Sequence, residues 1–258
     1  MQRARDTVNH TEVAMVNNWL KITQNFLYPP FCALCGDATR CATLPQIPTS
    51  LCLPCHDDLP RHHPRCTRCA LPLSATDDSS LCGICQQHPP PYTRTYTAFS
   101  YGPPLSPLIQ ALKFERRLDY GLLLSQLMIA SLSRDCATLP DVLIPVPLHR
   151  TRLAQRGFNQ ALELARPLAR HFNIALDSNS CQRLRSTKQQ SQLAADERHQ
   201  NMKGAFRISG TLRQRHAAII DDVMSTGSTV DALAHALRCH GIEQVDVWIC
   251  ARADRHWR

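Results

Sequence analysis

From Tyr92 onward, apolar residues come in short blocks that alternate between two periods. Residues 94–101 and the runs Val142–Val146, Ala217–Ile220 and Val245–Ile249 read as strands. Val142–Val146 ends among prolines, as a strand buried on both faces of a parallel sheet does. Leu105–Phe114 reads as a short helix, Leu118–Leu132 as a longer one, and Phe158–Arg170 as a third with a kink expected at Pro167. Val230, Leu233, Ala234 and Leu237 follow helical spacing. Strands alternating with helices predict an α/β domain over residues 92–258, with a mostly parallel sheet covered on both faces. Residues 183–206 break the pattern: they are polar, basic and weakly periodic, and read as a long functional loop or hood.

Upstream the character changes. In residues 32–88, Cys, Pro and His dominate and long apolar periodicity is absent. Such a segment buries little surface, so something other than a core must hold it. Pro89-Pro90-Pro91 ends it as a stiff spacer. The expected organisation is a leader (1–31), a cysteine module with its linker (32–91) and the α/β domain (92–258). In the leader, Trp19, Leu20, Ile22, Phe26 and Leu27 fit one face of a short helix that Pro29-Pro30 would end. Packing on the next module is favoured over a membrane anchor, because the stripe is short and carries little basic charge.

The chain has 13 cysteines, and eight form four C-x-x-C pairs. The odd total excludes complete internal disulfide pairing. With no export signal in the sequence, the pattern points to metal. Cys32-x-x-Cys35 and Cys52-x-x-Cys55 are separated by 16 residues, and Cys66-x-x-Cys69 and Cys82-x-x-Cys85 by 12. Two thiolates three positions apart grip one metal from a tight turn; two such turns complete a tetrahedral site, and soft sulfur favours zinc. Sequential pairing is simplest: Cys32, Cys35, Cys52 and Cys55 on one ion, Cys66, Cys69, Cys82 and Cys85 on the other. Interleaving stays open from sequence. Four sulfurs leave no position for water, so both sites are structural. Cys136, Cys181, Cys239 and Cys250 are expected as small core residues.

The 258 residues are 43% hydrophobic and 19% charged, which supplies a core and argues against a disordered chain. No apolar run approaches the roughly 20 residues of a membrane span. Met1–His10 lacks the apolar stretch of a secretory signal. A cytoplasmic protein with no membrane span is expected. The net charge of +8 is concentrated: residues 141–215 hold 13 Lys/Arg against 5 Asp/Glu. An anionic partner follows, either a phosphorylated small molecule or nucleic acid.

The most informative stretch is Ile219-Ile220-Asp221-Asp222-Val223-Met224-Ser225-Thr226-Gly227-Ser228-Thr229. A buried strand runs into two acids, a loop of small hydroxyl residues around one Gly, and then a helix. Loop amides and a helix N-terminus make an anion nest. Thr226, Ser228 and Thr229 add hydroxyl donors, and Gly227 permits close backbone approach. The two carboxylates suit a pair of sugar hydroxyls, or magnesium, beside the phosphate. Neither the P-loop nor the dinucleotide-binding glycine motif is present.

This segment resembles the ribose-phosphate signature of the type I phosphoribosyltransferases. The resemblance implies that Asp221 and Asp222 face the ribose hydroxyls of phosphoribosyl pyrophosphate (PRPP), with Ser225–Thr229 around its 5′-phosphate. The cysteine pairs, "ALKFERRLDYG" (111–121), "PVPLHRTRLAQRGFNQALELA" (145–165), "RLRSTKQQSQLAADERHQNMKGAF" (183–206) and the Asp-Asp loop occur in the order of the ComF/GntX family. The resemblance covers about residues 32–252. It implies a double zinc ribbon followed by a phosphoribosyltransferase domain, and a role in handling imported DNA, in competence or in its use as a nutrient.

A phosphoribosyltransferase also needs a pyrophosphate loop after its first core strand. Here residues 147–159 bring three arginines to one Gly at a helix start. Arg156 with Gly157 suits pyrophosphate, and Asn159 suits a helix cap. Lys113, Arg116 and Arg117 are further cations for this site. Arg183, Arg185, Lys188, Arg198 and Lys203 are candidate DNA or hood contacts, interleaved with glutamines and with Phe206 as the only aromatic. Three functions follow. The first is a PRPP-binding protein that handles imported single-stranded DNA. The second is an active magnesium-dependent phosphoribosyltransferase acting on a nucleobase or related acceptor. The third is a zinc-ribbon module that recruits DNA-uptake or helicase partners.

Overall fold

The computed structural model describes residues 31–38, 48, 50–61, 64–74, 79–185, 204–210 and 212–254. The leader helix expected over Trp19–Leu27 lies outside them. By its packing the chain forms two compact units, Met1–Asp57 and Asp58–Arg258. The first holds the Cys32–Cys55 ribbon with its short helix α1 (Leu53–Asp57). The second holds the Cys66–Cys85 ribbon, with α2 (Gly83–Gln87), and the whole α/β domain. The composition boundary at Pro89–Pro91 lies inside this second unit.

The two ribbons repeat each other bond for bond. In the first, Gly36 N–H donates to Cys32 O, Ala33 N–H to Ser50 O and His56 N–H to Cys52 O. In the second, Ala70 donates to Cys66 O, Thr67 to Ser80 O and Gln86 to Cys82 O. Each knuckle turns through a left-handed residue, Gly36 (φ 76°) in one and Ala70 (φ 58°) in the other. Glycine meets that demand without strain, whereas the alanine must be held by its surroundings.

Five parallel strands make the main sheet in the order β1-β7-β6-β2-β3. They are β1 (Arg94–Ser100), β2 (Val142–Pro145), β3 (Ala175–Leu176), β6 (His216–Met224) and β7 (Gln244–Arg252). An antiparallel pair, β4 (Cys181–Arg183) with β5 (Phe206–Ile208), forms a separate small sheet. The helices are α3 (Leu105–Phe114), α4 (Leu118–Asp135), α5 (Arg150–Arg156), α6 (Gln160–Phe172) and α7 (Ser228–Cys239). On α6, Ala161, Leu164, Ala165, Leu168 and Ala169 are buried at helical spacing, and Pro167 lies within the helix. Ile219, Val245, Val247 and Ile249 share one core cluster with Val230, Leu233 and Leu237 of α7 and with Phe206 and Ile208. On the other face Trp248 packs edge-on against Phe172 of α6 at 5.6 Å.

The position of the site follows from the strand order. From β2 the chain proceeds to β3 on one side, and from β6 to β7 on the other. Between β2 and β6 the direction of winding reverses, and in open α/β sheets ligands bind outside the carboxyl ends at that point. The second ribbon covers the β1 edge, which would otherwise expose unpaired backbone groups. Thr95 N–H donates to Thr67 O at 3.1 Å and Ser100 N–H to Pro60 O at 2.8 Å. Arg65 reaches Phe99 O at 3.3 Å, and burial lowers its pKa to about 10.

Two expectations change. Residues 150–156 are helical, although Leu153 is the only large apolar residue there; His149 caps the start and Gly157, left-handed at φ 84°, ends it. Of the four downstream cysteines, Cys181 and Cys250 are buried, but Cys239 is exposed and Cys136 only partly buried. Both stand at or just beyond a helix C-terminus, where the chain turns outward.

Candidate functional site

The eight ribbon cysteines gather in two sequential groups, Cys32, Cys35, Cys52, Cys55 and Cys66, Cys69, Cys82, Cys85, with all sulfurs of a group within 4.8 Å of one another. Cys35 Sγ lies 3.8 Å from Cys52 Sγ, and Cys69 Sγ 3.6 Å from Cys82 Sγ. A tetrahedron with Zn–S of about 2.3 Å has S···S edges of about 3.8 Å, so both groups fit structural zinc. Burial opposes the Cys66 thiolate, yet backbone amides of Cys69, Cys82 and Arg68 outweigh it and bring the thiol down to about 7.

Near the C-terminal end of β6, Asp221 and Asp222 are both buried. Asp222 N–H donates to Asp221 Oδ1 at 2.9 Å, and the two carboxyls lie close enough to interact. Lys113, at the end of α3, forms an ion pair with Asp222 Oδ2. Burial works against the Lys113 ammonium, but the Asp222 carboxylate more than offsets it and its pKa stands above the usual value. Among the described residues, no cation stands as close to Asp221 as Lys113 does to Asp222. Burial first, and the charge of Asp222 second, hold its carboxyl well above the ordinary range.

The loop after β6 is built around Gly227 at φ 89°. A Cβ there would stand 2.9 Å from Met224 Cε and 3.8 Å from the Tyr92 hydroxyl. Thr226 and Ser228 hydroxyls lie 2.9 Å apart, and Asp231 N–H donates to Gly227 O at 2.8 Å as α7 begins. Ser225 and Thr226 are exposed, Thr229 half-buried, and Gly227 and Ser228 buried. The loop thus offers hydroxyls and amides at the mouth of the β2–β6 crevice.

Across that crevice, Asn159 caps α6 by accepting from Ala161 N–H at 3.0 Å, and its amide donates to Val146 O at 3.0 Å. This ties the end of β2 to the helix start. Arg156 donates to Gln160 Oε1. Burial lowers the Arg156 pKa; Asp222 and Asp221 oppose this and Arg152 adds to it. Lys113, Phe114, Arg116, Arg152, Arg156 and their neighbours line a cleft of about 540 Å³. Arg116 therefore joins the site, whereas Arg117 pairs with Asp119 at 2.7 Å and covers the Tyr120 ring.

Arg183 lies over the Phe206 ring at 5.6 Å, at the end of the β4–β5 pair from which residues 184–205 depart. Burial lowers its pKa, Arg152 adds to the fall and Asp221 opposes it. Arg185 is exposed. Lys188, Arg198 and Lys203 lie outside the described residues.

Two residues that the sequence reading passed over connect this loop to the second ribbon. Arg252, buried at the end of β7, donates to Cys69 O at 2.7 Å, to Met224 O at 2.7 Å and to Ser225 O. Tyr92, buried beside Gly227, feels both Cys69 and Asp231, and its phenol is pushed up mainly by burial. Nothing in the sequence distinguishes either from an ordinary strand-end residue.

Residues 23–86 match the family model of the double zinc ribbon domain. The DNA utilization protein YhgH of Escherichia coli (strain K12) is 42% identical over 191 residues, covering 72% of this chain and 83% of that protein. The protein of the same name from Salmonella typhimurium is 41% identical over 192 residues, with the same coverage. Competence protein F of Haemophilus influenzae is 33% identical over 210 residues, 79% of this chain and 90% of that protein. Among the described residues, no helix is long and apolar enough to cross a membrane.

Proposed function

This chain belongs to the ComF family, and from that premise we propose that it binds PRPP in the β2–β6 crevice while serving in the handling or use of imported single-stranded DNA. The names of its relatives support the DNA role. One observation carries the PRPP reading: a buried strand end bearing Asp221 and Asp222 leads into the Gly227 loop, opposite the Arg156–Asn159 loop.

In this reading the ribose 2′- and 3′-hydroxyls donate to the acid pair. The 5′-phosphate takes the amides and hydroxyls of Ser225–Thr229, aided by the N-terminus of α7. Arg156, with Gly157 allowing close approach, takes the pyrophosphate. Lys113 keeps Asp222 neutralised until the ligand arrives. Among the described residues, the only groups of three or more His, Cys, Asp or Glu placed to hold a metal are the two cysteine groups. Magnesium, carried by the pyrophosphate, would neutralise part of its charge.

A second reading, transfer of the ribose phosphate to an acceptor, is favoured because acids and arginines flank the same crevice, so each end of PRPP has a partner. Its chemistry would be positioning plus stabilisation of the departing pyrophosphate. Equilibrium dialysis with labelled magnesium-PRPP tests the binding reading. Saturable uptake by the wild type, lost in Asp222→Asn with zinc content unchanged, is expected; equal uptake by both would overturn it. Pyrophosphate release on adding nucleobases separates the catalytic reading.

A further inference from the structure

Phe114 is 68% exposed, more than any other large hydrophobic side chain among the described residues. It follows Lys113 directly, yet the two serve different places. Lys113 turns inward to Asp222, while the Phe114 ring stands in the outer cleft, 5.7 Å from the Arg156 guanidinium. On α3 the core is filled by Leu105, Leu108, Ile109, Ala111 and Leu112. Phe114 lies off that face. Around it stand Arg116, Arg152 and Arg156.

Bound PRPP explains the cations but not the ring, because PRPP has no aromatic face. A nucleobase does. Duplex DNA stacks its bases against one another and leaves no face free, whereas a single strand offers faces and phosphates together. Basic grooves interleaved with aromatic side chains are how single strands are held without sequence preference.

We propose that this cleft is a single-stranded nucleic-acid site, with Phe114 as a platform for one base and Arg116 and Arg152 as contacts for the flanking phosphates. The proposal rests on the DNA-handling reading above and gives it a location. It also makes the cleft continuous with the crevice proposed for PRPP, since Lys113 and Arg156 border both. A strand in the cleft and PRPP in the crevice would then sense one another through these two side chains.

The test is fluorescence anisotropy with the full chain and a labelled twelve-residue oligothymidylate, across a sodium chloride series. A second strand carries abasic sites throughout. Phe114 is exposed, so Phe114→Ala and Phe114→Trp leave the fold intact, checked by thermal melting and zinc content. Phe114→Ala is expected to weaken oligothymidylate binding about tenfold, and Phe114→Trp to retain it. The wild type should bind the abasic strand about as weakly as Phe114→Ala binds thymidylate. Arg152→Ala should reduce the salt slope by about 0.7, one phosphate contact on a single strand. Unchanged affinity in Phe114→Ala, or equal wild-type affinity for the abasic strand, would overturn the platform and leave DNA binding standing elsewhere. Competition by thymidine monophosphate at the same affinity as the strand would also overturn it, as a mononucleotide pocket. No wild-type binding even at low salt would overturn the platform and the DNA-contact reading together. Magnesium-PRPP binding, read separately on the same proteins, distinguishes each result from failure of the PRPP reading.

Discussion

Arg252 Nε donates to the backbone carbonyl of Cys69 at 2.7 Å, joining the last strand of the sheet to a zinc ligand 183 positions earlier. The same guanidinium holds Met224 O and Ser225 O, where β6 runs into the Gly227 loop. The second ribbon is therefore bonded, through one buried cation, to the loop that defines the site.

Removing that cation leaves at least three carbonyls without their charged donor. Hydrogen bonds to charged groups contribute about 1.5–3 kcal/mol, and an unsatisfied buried acceptor costs about 1–3 kcal/mol. Arg252→Met should lower stability by about 3 kcal/mol in urea titration. It should also weaken PRPP binding more than other substitutions of equal destabilisation, because the loop itself is released.

Zinc extraction gives the complementary result. Titration with a thiol-reactive mercurial and a colorimetric chelator should release two zinc ions per chain. Cys69→Ser should release one, and should lower PRPP affinity along with the melting temperature of the α/β domain. Unaltered PRPP affinity in Cys69→Ser would separate ribbon and loop.

Asp221 predicts a pH dependence. Its carboxyl is raised by burial, so in the window above about pH 4 the native chain binds its proton more tightly than the unfolded chain. Stability from this group is highest at acid pH and falls as pH rises through the native pKa. Asp221→Asn should flatten that fall and raise stability at pH 7, measured by urea denaturation from pH 5 to 8. A stabilising change at a residue proposed to bind ligand marks a site held at a cost to the fold.

Gly227→Ala carries two penalties, a left-handed φ of 89° and a new methyl 2.9 Å from Met224 Cε. Met224 is flexible at that end, so the backbone strain dominates. A loss of about 1–2 kcal/mol is expected, with PRPP affinity reduced.

Much of the fold was legible because burial and periodicity coincide. Ala217–Ile220 and Val245–Ile249 are short, mainly apolar runs that form inner strands, and Val230–Leu237 repeats at helical spacing. The cysteine pairs announced the ribbons, and spacing alone suggested the sequential grouping. The rest was hidden by distance along the chain. Lys113 meets Asp222 only because the fold brings the end of α3 to β6, far away along the chain. Arg252 is an unremarked arginine until the fold sets the Cys69 carbonyl against it. Phe114 ends α3 off its apolar face, and periodicity does not tell which arginines stand around it. Residues 150–156 lack an apolar stripe, so their helix depends on caps that periodicity does not register.

The central claim is the PRPP site at the end of β6. Isothermal titration of the full chain with magnesium-PRPP tests it most directly, comparing wild type with Asp222→Asn. One saturable event per chain in the wild type, absent in the variant while both retain two zinc ions, is the predicted result. No heat of binding in a folded, zinc-loaded wild type, or an identical isotherm in Asp222→Asn, would contradict it.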